Sequence, residues 1–377
     1  MQNIGGEPQS LLRWRTMHAR GQPSLVIFRI GSIGDTVVAL PCFHAIARAF
    51  PEHRRILLTN AVDSARASTV ESVLDGTGLV EETVHFPVGR GKLPYSLTLA
   101  RRLRVLRPEA LVYLAPRPTG FPVYRDLVFF RAAGIRRIIG APMSALAREC
   151  AIDPQTGELE YEAVRLARTL GDAVPVDLSP PNWGLRLSAA EQRVAAERLS
   201  SLPDWRPRLA VAAGAKIPLK DWGEESWGIL IELLAARSQS ISLVFVGALD
   251  ERLLAERLAA RWPGPRVNLC GELTPRESAA LLGQCDAIVC HDGGPMHLAA
   301  SQGTPCVGLF GNYNSPHQWF PFGEGHRVIH EPRGVREIRP EQVAELVQAT
   351  LAAAHARSAP RAGVSGSSLR PPSAAAG

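Results

Sequence analysis

Cys290-His291-Asp292-Gly293-Gly294-Pro295-Met296-His297-Leu298-Ala299-Ala300 is the stretch that decides how this chain is read. Ahead of it, Asp286-Ala287-Ile288-Val289-Cys290 is a short apolar run of buried-strand type. Gly293 and Gly294 permit a sharp turn and a close approach of backbone to a ligand. Pro295 stands where a first helical residue would stand, its φ already set for helix. The free N–H groups and positive dipole end of that helix favour an anion. Asp292 and His297 flank the turn with a carboxylate and an imidazole. The unit is a strand, a turn and a helix of the α/β kind. It reads either as plain scaffold or as a seat for phosphate.

The same alternation runs outward in both directions. Leu25–Phe28, Arg55–Thr59, Ala110–Leu114 and Arg136–Ile139 read as strands, with a helix over Thr36–Phe50 and helical periodicity near 63–74, 94–107 and 122–133. Val174-Pro175-Val176-Asp177-Leu178-Ser179-Pro180-Pro181 breaks the pattern and reads as a linker. Beyond it come strands at Leu209–Ala213 and Ser242–Gly247, and helices over Glu224–Arg237, Asp250–Arg261 and Thr274–Gln284. Cys306–Phe310 is expected to close the series. Strands separated by helices specify parallel sheets. Two such halves predict two Rossmann-like domains facing an interdomain cleft, with ligands at the carboxyl ends of the strands. The expected divisions are 1–23 as a mobile extension, 24–178 and 179–358 as the two domains, and 359–377 as a disordered tail rich in Pro, Ser, Gly and Ala.

Composition bounds the rest. The 377 residues are 46% hydrophobic and 21% charged, as expected of a globular protein with a sizeable core. No apolar run approaches the roughly 20 residues that span a bilayer. Met1–Ser24 lacks the apolar core of a secretory signal, so a cytoplasmic location is expected. The six cysteines form no C-x-x-C pair and read as scattered buried thiols. The net charge of +6 is uneven: +5 over residues 1–180 and +1 over the remainder. Arg101, Arg102, Arg104, Arg107, Arg131, Arg136 and Arg137 make the first half basic. Such a face suits an anionic acceptor or the cytoplasmic membrane leaflet, or is simply solvated. Aromatic content of 6% without a stacking pattern argues against nucleic acid.

Three further segments pair a strand end with polar residues. Arg29-Ile30-Gly31-Ser32-Ile33-Gly34-Asp35-Thr36 precedes the first helix, where Asp35 is either an N-cap or a carboxylate able to take a proton from a substrate hydroxyl. Gly214-Ala215-Lys216-Ile217-Pro218-Leu219-Lys220-Asp221-Trp222 sets two lysines in a loop that could neutralise phosphates. Val246-Gly247-Ala248-Leu249-Asp250-Glu251 opens a helix with acids that favour its dipole or bind ribose hydroxyls. Asp-x-Asp, the P-loop signature, H-E-x-x-H and G-x-S-x-G are all missing from the sequence. No metal and no cofactor are therefore expected.

In this order the segments resemble the ADP-heptose:lipopolysaccharide heptosyltransferases, glycosyltransferase family 9. The first match is Ile27–Asp35 with Leu40-Pro41, the second Lys220-Asp221-Trp222 with Trp227, and the third Asp292–Ala300 with Gly303-Thr304-Pro305 and Leu309-Phe310-Gly311. The resemblance covers about residues 25–345 and implies a GT-B fold with inverting, metal-independent sugar transfer from a nucleotide. It implies Asp35 as general base and Lys220 at the diphosphate. It also implies a donor site of Gly34, Lys216, Asp250, Glu251, Asp292, Gly293, Gly294, Pro295, Met296 and His297. The implied partners are ADP-heptose and an anionic glycan or glycolipid such as the lipopolysaccharide core. Gly293 departs from the family's Ser or Thr, Gly223 from its Pro, and Pro218 interrupts the lysine loop. Another donor or acceptor, an epimerase or hydrolase on the same scaffold, and a non-catalytic nucleotide-sugar binder are the competing readings.

Overall fold

The computed structural model describes residues 22–61, 69–87, 97–115, 120–203, 207–237 and 241–358. The first sheet comprises β1 (Ser24–Phe28), β2 (Arg54–Ala61), β3 (Glu82–Pro87), β4 (Ala110–Tyr113) and β5 (Arg137–Ile139), in the order β3-β2-β1-β4-β5. The second comprises β6 (Arg208–Ala212), β7 (Ser242–Phe245), β8 (Arg266–Asn268), β9 (Ala287–His291), β10 (Cys306–Phe310) and β11 (Arg327–His330), in the order β11-β10-β9-β6-β7-β8. Every pairing within these sheets is parallel. From its other edge the second sheet follows the doubly wound 3-2-1-4-5-6 pattern, and the first follows the same order one strand shorter.

Helices cover both faces. In the first half they are α1 (Ile33–Val38), α2 (Leu40–Ala49), α3 (Val70–Leu74), α4 (Leu97–Leu106), α5 (Gly120–Ala132), α6 (Ala145–Arg148) and α7 (Glu162–Leu170). In the second they are α8 (Ala189–Leu199), α9 (Glu224–Arg237), α10 (Arg252–Ala260), α11 (Pro275–Leu282), α12 (Gly294–Ser301), α13 (Pro316–Trp319) and α14 (Pro340–Ser358). The central strands are buried end to end, which is why Ser24–Phe28 and Ala287–His291 read as unbroken apolar runs.

Three expectations are corrected. The single helix over Thr36–Phe50 is two helices meeting at Ala39, whose φ of −90° and ψ of −2° end α1. Pro41 lies in the first turn of α2, the only turn where its missing N–H costs no intrahelical bond. Cys306–Phe310 does not close the series, since β11 and α14 follow it. The strands that the apolar pattern missed, β3, β8 and β11, are all edge strands. One flank of an edge strand faces solvent, so β8 and β11 contain no fully buried residue and show no apolar run. Helix α7 was hidden for another reason: its buried face carries Glu162 and Arg165, paired at 2.6 and 2.9 Å. The segments 1–21, 62–68 and 359–377, on which mobility, part of a helix and disorder were expected, lie outside the described residues.

The proline-rich stretch 174–181 is less free than its composition implies. It leads into a 3-10 turn, Pro180–Trp183, and Trp183 stacks on Phe322 at 3.9 Å between ring centroids. From the first domain, Arg48 donates to Asn182 at 2.6 Å and His44 Nε2 to the Gly184 carbonyl at 2.9 Å. From the second, Arg276 of α11 donates to the carbonyls of Leu185 and Arg186 and pairs with Glu191 of α8. Arg276 also reaches the Val73 carbonyl of α3, at 3.2 Å. Three backbone carbonyls and the Glu191 carboxylate around a nearly buried guanidinium make this a bolt between the domains.

Candidate active site

In doubly wound sheets a ligand sits at the strand ends where the order reverses. Here those points lie between β1 and β4 and between β6 and β9. The loop after β1 leads to Asp35, the loop after β6 carries Lys216 and Lys220, and the residue after β9 is Asp292. All three loops therefore open at the places the topology reserves for ligands.

Asp35 is not an N-cap. The cap of α1 is Ser32, and Asp35 is the third helical residue, closing a reciprocal capping box. The Ser32 N–H and Oγ–H both donate to Asp35 Oδ2 at 2.7 Å. Among the described residues Oδ1 accepts no hydrogen bond. Burial alone would raise the Asp35 carboxyl. The Arg29 charge and the two Ser32 bonds outweigh it and hold the group below the ordinary value of 3.8. Arg29 itself is fully buried and donates to the Leu114 carbonyl at 2.6 Å and to the Asp35 carbonyl. The sequence reading quoted Arg29 without giving it a task.

Helices α1 and α12 meet across the cleft at their starts. A Cβ on Gly34 would lie 2.9 Å from His297 Cδ2, and one on Gly294 would lie 3.1 Å from Ile33 Cβ. The glycines of the Asp292 turn differ from each other in what the backbone asks of them. Gly293 has φ −176°, an extended conformation open to any residue, and Gly294 needs its missing side chain for space. Gly34→Ala is expected to push the domains apart and lower kcat at least tenfold with an unchanged melting temperature. An unchanged kcat would show that this approach is irrelevant to turnover. Around Gly293 the nearest atoms to an added Cβ are 3.9 Å away, so Gly293→Ser should fold normally and gain a few tenths of a kcal/mol as an N-cap. A melting temperature lowered by several degrees would contradict this.

Lys220 and Asp292 are brought together. Lys220 Nζ lies 2.7 Å from Asp292 Oδ2 and 3.1 Å from the Asp292 carbonyl. Asn314 Nδ2 donates to the same Oδ2 at 2.6 Å, and the Lys220 ammonium stands 5.0 Å above the Tyr313 ring. Sequence reasoning missed Tyr313 and Asn314. Their one signal was position, in the loop after β10, beside β9. It also missed His291, which ties the lysine loop to β9. His291 Nδ1 donates to the Gly214 carbonyl at 3.1 Å, and its Nε2 accepts from the Trp222 N–H at 3.0 Å. Trp227 stands edge-on to both His291 and Trp222.

The remaining candidates are scattered around this centre. Lys216 and Asp250 are exposed. Glu251 folds between the ends of β6 and β7, where a Cβ on Gly214 or Gly247 would collide with it. Its carboxylate accepts from the Ala248 N–H at 2.8 Å, and burial, then Asp250, raises its pKa. The Met296 side chain lies in the core against Gly308, so only its backbone faces the turn. Pro295 sits in the first turn of α12, as expected.

Burial pushes His291 and His297 down from 6.5 to about 4. Both are neutral in the fold, whereas the unfolded chain takes up protons below about 6.5. Stability is thus complete above pH 6.5 and falls as pH drops toward 4, by about 1.4 kcal/mol per pH unit for each histidine. Urea titrations across that window should show the decline, and His297→Gln should remove about half of the histidine contribution. A flat profile would mean that both rings protonate freely in the fold.

The family model for glycosyltransferase family 9 (heptosyltransferase) matches residues 134–345. The lipopolysaccharide heptosyltransferase 2 of Escherichia coli (strain K12) is 31% identical over 165 residues, 43% of this chain and 47% of that protein. The lipopolysaccharide core heptosyltransferase OpsX of Haemophilus influenzae is 25% identical over 158 residues, 41% of this chain and 44% of that protein. These alignments span just under half the length of either relative. The crystal structure of the glycosyl transferase family 9 protein from Veillonella parvula DSM 2008 superposes with a TM-score of 0.67 at 16% identity, over 89% of this chain and 99% of that one. At that identity the likeness establishes the fold, two parallel-sheet α/β domains of the GT-B type.

Proposed function

Since the chain belongs to glycosyltransferase family 9, we propose that it moves heptose from ADP-heptose to a lipopolysaccharide-core or related anionic acceptor, with inversion and without a metal. The observation that carries this reading is the pairing of an ionised Asp35 on one domain with the Lys220–Asp292 cluster on the other, at helix starts in close contact. Direct displacement at an anomeric carbon needs a base for the nucleophile and charge stabilisation for the leaving group.

In the proposed step Asp35 Oδ1 takes the proton from an acceptor hydroxyl. The hydroxyl oxygen bonds to the anomeric carbon as the bond to the diphosphate oxygen breaks. The negative charge arriving on ADP meets the Lys220 ammonium and the N–H groups at the start of α12. Asp292, held on Oδ2 by Lys220 and Asn314, keeps Oδ1 for donor hydroxyls. In this reading Glu251, at the ends of β6 and β7, takes the ribose diol. Lys216, exposed on the Lys220 loop, adds positive charge there.

The test is ADP release from ADP-heptose with and without lipopolysaccharide-core acceptor, in excess EDTA and in magnesium. Acceptor-dependent release at equal rates in both is the expected result. Acceptor-independent consumption would overturn transfer in favour of hydrolysis or epimerisation. Saturable ADP binding without turnover would leave only a binding role.

A further inference from the structure

Helices α4 and α5 lie side by side over the first sheet, joined by a bond of 2.7 Å from Arg104 to the Ala132 carbonyl. Their outward surface departs from an ordinary solvated face in three respects. Leu97, Val105, Tyr124 and Val128 are 78%, 65%, 53% and 69% exposed, at helical spacings that bring them onto the outer stripe of each helix. Among them stand the exposed Arg101, Arg104 and Arg131. The one acid in either helix, Asp126, is buried and receives the Tyr113 hydroxyl at 2.8 Å. Among the described residues the two helices therefore present large apolar side chains with arginines and no exposed carboxylate of their own. At its far end a shallow cavity of about 190 Å³ is walled by Arg104, Arg107 and the 133–134 turn, with Arg107 held at φ 45°.

We propose that the α4–α5 face docks on an anionic lipid bilayer, with the Arg104–Arg107 cavity seating a lipid phosphate. Charge complementarity selects this occupant. A second copy of the chain would bring arginine against arginine, and a neutral apolar partner would leave the guanidiniums unpaired. A bilayer surface accepts both components at once, the apolar side chains entering the headgroup boundary and the arginines meeting phosphates. Among the described residues no helix is long and apolar enough to cross a membrane, so the contact is one of surface only. The inference is independent of which sugar is transferred and of the roles of Asp35 and Lys220.

The experiment is co-sedimentation of the full chain with phosphatidylglycerol/phosphatidylcholine vesicles and with pure phosphatidylcholine vesicles, in low and high salt. The expected result is binding to the anionic vesicles alone, lost in high salt. R101E/R104E should weaken it at least tenfold, and Val128→Ser should weaken it with an unaltered salt dependence. Neither variant should change the melting temperature or the turnover of a soluble acceptor. Equal binding by R101E/R104E, or equal binding of the wild type to neutral vesicles, would overturn the proposal. So would binding of inorganic phosphate without vesicle binding, or a dimer abolished by R101E/R104E with no lipid association.

Discussion

Asp35→Asn is expected to lower kcat by about 10²–10⁴-fold, the range typical of losing a general base, while leaving the Kd for ADP unchanged. The substitution keeps the shape of the side chain, and the amide oxygen can still accept from Ser32, so the capping box survives. What disappears is the capacity to take a proton. The buried Arg29 keeps Glu162 as a countercharge, which limits the cost to folding. The carboxyl is held below 3.8, so Asp35 itself should add no acid limb above pH 4, and any decline there should follow the loss of fold set by His291 and His297. An acid limb in kcat/KM near pH 6 would be incompatible with Asp35 as the base in this setting. An unchanged kcat in Asp35→Asn would remove it from the chemistry altogether. Calorimetry with ADP and a continuous assay of ADP release measure the two quantities separately.

Lys220→Met should lower kcat by about 10²–10³-fold, the scale of losing one preorganised charge-stabilising donor. A second effect accompanies it. Asp292 is 6% exposed and would keep only Asn314 on Oδ2, leaving a buried carboxylate without its cation. Breaking a buried pair from one side costs about 3–5 kcal/mol when both members are fully enclosed. Lys220 is 16% exposed, so the cost here should be smaller but readily measured. Lys220→Met/Asp292→Asn then separates the two roles. Removing the orphaned charge should restore most of the lost stability without restoring turnover. If turnover returns with stability, Lys220 acts as a structural tie between its loop and β9, and the diphosphate role falls.

The parallel sheets, the two halves and the three loops that carry the candidate chemistry were legible because each rests on a local signal. A central strand buried on both faces must be apolar along its length, as in Ala287–His291. Many of the helices start with a cap or a proline, as at Thr274-Pro275 and Gly294-Pro295. Such requirements are met within a few residues and are written there. The edge strands β8 and β11 and helix α7 escaped because solvent on one flank, or a buried ion pair, removes the apolar signature.

The sequence by itself determined the fold class, the strand ends that the topology reserves for ligands, and the presence of Asp35, Lys220 and Asp292 in those loops. Tertiary structure decided what each group does there. Asp35 is a lowered carboxylate because Arg29 is buried beside it, and Gly294 is needed because Ile33 arrives from the other domain. His291 is a neutral tie because Trp222 and Gly214 hold its two nitrogens. Charge state and steric necessity are set by atoms within a few ångströms, and apart from Arg29, six residues from Asp35, these neighbours lie dozens to hundreds of residues away along the chain. Local pattern carries little record of them, so the charge states and packing of these residues were settled only when the two sheets came to face each other.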